Sequence, residues 1–112
     1  MRIMMKVSLP IEAGNRAILD GTLSKTTREI LEEQKPEAVY FGAENGNRTV
    51  FMVLEMRDAS QIPGLAEPWF LAFNASIDMH PVMTQADLAN AGPGIESAVK
   101  KFGSHSRSAG AR

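Results

Sequence analysis

The chain contains no cysteine in 112 residues. That excludes disulfides, thiolate metal sites and cysteine nucleophiles, and it permits the reducing cytoplasm in which we expect the protein to reside. An excess of either charge is also missing: 12 Lys and Arg stand against 13 Asp and Glu, interspersed, for a net charge of −1. A dedicated nucleic-acid binder would show a basic face, so no nucleic acid is expected as a partner. Aromatic residues make up only 6% of the chain. The first strand-like segment has none and the third has only Phe51, so the base-stacking signature of an RNA-recognition sheet is absent. No apolar run approaches the roughly 18 residues that a membrane span needs. The opening Met1-Arg2-Ile3-Met4-Met5-Lys6 superficially resembles a signal peptide, but Lys6 and Pro10 interrupt it. The polar stretch from Glu12 to Asp20 follows with no cleavage-like region, and a first strand is the better reading.

What remains is ordinary globular composition, 44% hydrophobic with 22% charged. It is enough for one core and one domain, expected over residues 1–103, with a small, polar, basic tail over 104–112 expected to be disordered. Val39-Tyr40-Phe41 and Thr49 to Leu54 are apolar runs flanking Glu44-Asn45-Gly46-Asn47-Arg48. Asn-Gly suits a type I′ hairpin, in which both central residues need positive φ. Ile3, Met5, Val7 and Leu9 alternate with Met4, Lys6 and Ser8 in a first strand over Arg2 to Leu9.

Residues 11–35 are helical in character, with a break at Asp20-Gly21-Thr22. The pattern predicts a short helix over about 13–19 and a longer one carrying Leu23, Thr27, Ile30 and Leu31, with Arg28 and Glu32 outward. Pro36 disfavours helix at Lys35. After Asp58 and Ser60, which offer capping oxygens, Ile62 to Phe73 has helical spacing interrupted by Pro68. That predicts a loose turn over 62–67 and a compact helix over 68–73. Ser76 to Met83 reads as a fourth strand, placed at a sheet edge by Pro81. Thr84 with Asp87 resembles a capping box. The helix that follows is expected to break at Gly92-Pro93-Gly94, resume through Ile95, Ala98, Val99 and Phe102, and close at Gly103.

The order is β-α-β-β-α-β with a C-terminal helix, an α+β chain with a ferredoxin-like four-stranded antiparallel sheet. The open face of such a sheet is polar in a monomer. Here Phe51 and Val53, Met4 and Tyr40 fall on it, an apolar patch that soluble monomers rarely expose. The economical cover is the same face of a second copy, by two-fold symmetry.

Strand order and patch together resemble the dimeric α+β barrel superfamily, which includes muconolactone isomerases, antibiotic-biosynthesis monooxygenases and YCII-related proteins. The resemblance rests on Arg2-Ile3-Met4-Met5-Lys6-Val7, on Lys35-Pro36-Glu37-Ala38-Val39-Tyr40-Phe41, and on Ala72-Phe73-Asn74-Ala75 leading to His80-Pro81-Val82-Met83. The chain looks like one of the small bacterial families of that superfamily with no assigned function. A homodimer with a cavity between its sheets is what the resemblance implies. Superfamily enzymes place their catalytic residues differently, so no catalytic residue carries over.

Such a cavity is a natural small-molecule site. Strand parity puts Lys6, Tyr40, Asp78 and His80 on the inward face, with Asp78 and His80 about 7 Å apart along one strand. A carboxylate beside an imidazole makes a general base usable near neutral pH. We therefore take His80 and Asp78 as candidate catalytic residues for cofactor-free proton transfer, and Lys6 and Tyr40 as candidate ligand contacts. Each also has a plainer role. Asp78 and His80 face solvent at an edge, Lys6 snorkels, and Tyr40 is an interface aromatic. In that reading the protein is a non-catalytic dimerisation or partner-binding module. His80 and His105 make no convincing metal site, with His105 in the tail and no cysteine to help. No metal and no cofactor is expected.

Overall fold

Alternation decides the first strand. In β1 (Arg2–Ser8) every second residue, Ile3, Met5 and Val7, is buried, while Met4, Lys6 and Ser8 between them are only half-covered. The computed structural model describes residues 1–110, with side chains described through Ser104. It continues through α1 (Ile11–Leu19), α2 (Leu23–Gln34), β2 (Ala38–Glu44), β3 (Asn47–Glu55), α3 (Ile62–Phe73), β4 (Ser76–Pro81), α4 (Gln85–Asn90) and α5 (Gly92–Gly110). The strands form one antiparallel sheet in the order β2-β3-β1-β4. That is the ferredoxin-like α+β arrangement, with β4 at the edge as Pro81 requires.

The β2–β3 turn forms as Asn-Gly dictates: Asn45 has φ 54° and Gly46 φ 78°, the positive pair of a type I′ hairpin. Helix α2 ends with Lys35 in the left-handed region at φ 50°, just before Pro36, which bars a further helical turn. One face of the sheet carries the core. Ile3, Met5, Val7, Val50, Met52 and Leu54 pack there with Trp69 and Phe73 of α3, Ile30 of α2 and Ala17 of α1. Full burial of each large side chain stabilises by about 1.5–3 kcal/mol.

Two local expectations are corrected. Helix α3 is continuous from Ile62 through Pro68, where a loose turn was expected to precede a helix starting at Pro68. Proline costs about 3 kcal/mol inside a helix, but Ala66, Trp69 and Phe73 are all buried on one side of α3. Their burial outweighs that cost, and the carbonyl that Pro68 cannot bond belongs to Gly64, which is exposed to water. A 3-10 turn, Ala59–Gln61, leads in, with Asp58 accepting from the Ser60 amide at 2.9 Å and Gln61 Oε1 accepting from the Arg57 amide at 2.5 Å.

The second correction concerns Gly92-Pro93-Gly94, which forms the first turn of α5; the break lies at Ala91, the C-cap of α4. A proline in the first turn forfeits no helical hydrogen bond. Backbone helix also runs past Gly103, the expected stop. The disordered tail expected over 104–112 falls almost wholly on residues whose side chains lie outside the described ones.

The chain divides into two compact units, Met1–Val82 and Met83–Arg112. The second is α4 and α5 alone. It opens on the expected capping box, Thr84 Oγ1 accepting from the Asp87 amide at 3.1 Å and Asp87 Oδ2 from the Thr84 amide at 3.0 Å. No helix among the described residues is long and apolar enough to cross a membrane.

Candidate functional site

The sheet's open face is organised in rows by the strand register. Tyr40, Phe51, Lys6 and Asp78 stand side by side from β2 to β4, and Ala38, Val53, Met4 and His80 form the next row. All four candidate residues therefore share one face. They do not converge on one point, because Tyr40 and Asp78 sit at opposite edges, three interstrand spacings or about 14 Å apart. Asp78 and His80 are exposed, and Tyr40 is 70% exposed.

Lys6 is cross-strand neighbour to Asp78, yet its Nζ reaches the other way, over β3, to lie 3.3 Å from Glu44 Oε2. This is an ion pair rather than an aligned hydrogen bond, with Glu44 Oε2 itself shut off from solvent. Beside these polar groups Phe51, Val53 and Met4 are half-buried in the middle of the face. Among the described residues no three His, Asp or Glu side chains gather as a metal ligand set.

The sequence did not point to the cavity on the opposite, helix-bearing face. A recess of about 540 Å³ opens between α2 and the β2–β3 hairpin. Leu9, Leu23, Leu31 and Phe41 supply apolar walls, and Arg28 and Arg48 line it as well. Phe41 pairs with the buried Val50, so it shares the core side of the sheet, yet it is 63% exposed. Two signals for the recess stood in the sequence: Leu23, Thr27 and Leu31 recur every four residues, and Arg48 shares strand parity with Val50.

The chain belongs to the family described as "Domain of unknown function (DUF3303)", whose sequence pattern matches residues 1–95. No curated protein matches the chain. Among solved structures it is similar to the "De novo designed protein Ferredog-Diesel", at 8% identity and a TM-score of 0.41, over 72% of this chain and 85% of that one.

Proposed function

We propose that this DUF3303 domain is a cytoplasmic homodimer whose two open sheet faces enclose a small-molecule site, in the manner of muconolactone isomerases, antibiotic-biosynthesis monooxygenases and YCII-related proteins. The observation carrying the reading is the face itself. Met4, Phe51 and Val53 make an apolar centre, Tyr40 stands 70% exposed beside it, Lys6 lies on the same central strand as Met4, and Asp78 and His80 line the β4 edge. Apolar surface with a few placed polar groups is the ordinary make-up of a ligand pocket. In that cavity His80 acts as the base of a cofactor-free proton transfer, Asp78 orients its imidazole, and Tyr40 and Lys6 contact the ligand.

A second reading follows from one specific contact. Because Glu44 already neutralises Lys6, the face has less charge to offer an anionic substrate, which favours a non-catalytic dimerisation or partner-binding module. Light scattering at two protein concentrations tests what both readings share. A mass of twice 12.2 kDa is expected, and a monomer of 12.2 kDa at both concentrations overturns them. Exchange of solvent deuterium into the acidic carbon positions of a panel of lactones and β-diketones then separates the two. Exchange lost in His80→Gln supports the enzyme, and none above background leaves the module.

A further inference from the structure

We propose that the recess between α2 and the β2–β3 hairpin is a second site, one that binds an amphiphilic monocarboxylate, its apolar body against Leu9, Leu23, Leu31 and Phe41 and its carboxylate between Arg28 and Arg48. Three observations converge. The recess holds about 540 Å³, within the roughly 300–1,000 Å³ of small-molecule sites. Its walls are chiefly apolar, and the exposed ring of Phe41 is a large apolar surface on the core side of the sheet. Its two charged residues are both cationic, and neither makes an ion pair among the described residues. An apolar chamber lined by two arginines that make no ion pair among the described residues, with no carboxylate among its lining residues, selects an apolar anion. Guanidinium matches a carboxylate with two parallel hydrogen bonds.

The place of Arg48 is set by a glycine. A Cβ on Gly14, in the middle of α1, would lie 2.7 Å from Arg48 Nη1. Glycine there costs about 1 kcal/mol of helix stability relative to alanine, and what it provides is room for the guanidinium against the helix backbone.

The test is calorimetric titration of the full chain with decanoate and, as the uncharged probe of the same body, decanol. Decanoate is expected to bind once per chain, about tenfold or more tighter than decanol, the difference that one charge-assisted contact makes. Arg28→Gln, on an exposed helix position, should weaken decanoate by about tenfold and leave decanol unchanged. Gly14→Ala keeps both charges and raises helix propensity; it should weaken decanoate several-fold without lowering the melting temperature. Equal affinity for the two probes, no effect of either variant, or amide shifts at Tyr40 and Phe51 rather than at Phe41 and Leu31 would each overturn the proposal. The site lies on the face away from the proposed dimer contact, so a chain made monomeric should bind decanoate unchanged. Failure of one reading is thereby separable from failure of the other.

Discussion

Val53→Asp is the sharpest perturbation of the sheet face. Val53 stands on a central strand, opposite Met4 on one side and Ala38 on the other. Four strands at about 4.8 Å spacing and six residues at about 3.4 Å rise give a face of roughly 19 by 20 Å. Two such faces bury on the order of 800 Å², below the roughly 1,200–2,000 Å² of a standard interface, so the dimer has little affinity to spare. Each copy of the variant would bury a carboxylate whose directly opposed residues, Met4 and Ala38, carry no cation, while the diagonal neighbours Arg2 and Lys6 already pair with Glu37 and Glu44. Symmetry doubles a penalty of several kcal/mol per ion, and 1.4 kcal/mol is a tenfold change, so the dissociation constant should weaken by about a thousandfold or more.

The folded monomer should hardly notice. Val53 is half-buried there, and lost strand propensity costs up to about 1 kcal/mol. Phe51→Asp would be a poorer probe, because Lys6 faces position 51 and the new carboxylate would compete with Glu44 for it, mixing two effects. Sedimentation velocity with parallel thermal unfolding reads both effects. A folded, monomeric variant of a dimeric parent is the expected result, and a variant that stays dimeric with unchanged affinity refutes the use of this face.

Gln34→Leu should destabilise by about 1–3 kcal/mol in urea unfolding. It strips the partner from the indole N–H of the fully buried Trp69, which donates to Gln34 Oε1 at 3.2 Å, and breaks the 2.8 Å bond from Gln34 Nε2 to the Leu65 carbonyl. The Ser60 hydroxyl and amide both donate to Asp58 and hold its carboxyl below the ordinary aspartate range. A carboxyl depressed in the folded state adds stability above its unfolded pKa and loses it as pH falls through the folded value. Asp58→Asn should therefore lower the melting temperature at pH 7, with the gap closing toward pH 2; a gap independent of pH would contradict this. Gly46→Val places a β-branched residue at φ 78° and should cost about 1–2 kcal/mol, read as a fall in the urea midpoint.

The sheet was legible because its signals are local and rigid. A period of two fixes which side chains share a face, so placing Lys6, Tyr40, Asp78 and His80 together needed only the strand limits. Asn45-Gly46 fixed the hairpin between β2 and β3, as the positive φ of both residues shows. The helix errors arose where a local rule met a tertiary gain, Pro68 being overruled by the burial of Trp69 and Phe73. The Lys6–Glu44 pair joins β1 to β2 across β3, a contact that only the assembled register reveals. The recess beside Phe41 depends on how far α2 stands from the outer strand, a spacing between elements that no single segment encodes.

The claim that two copies meet through the open sheet face is tested most directly by distance. The chain has no native cysteine, so Ser8→Cys on the open face and Leu71→Cys on the exposed side of α3 each carry one nitroxide label. Sheets packed face to face lie about 10 Å apart. Double electron–electron resonance should then give a short inter-copy distance for position 8 and a much longer one for position 71. A short distance at position 71, or no dipolar coupling at either, would contradict the account.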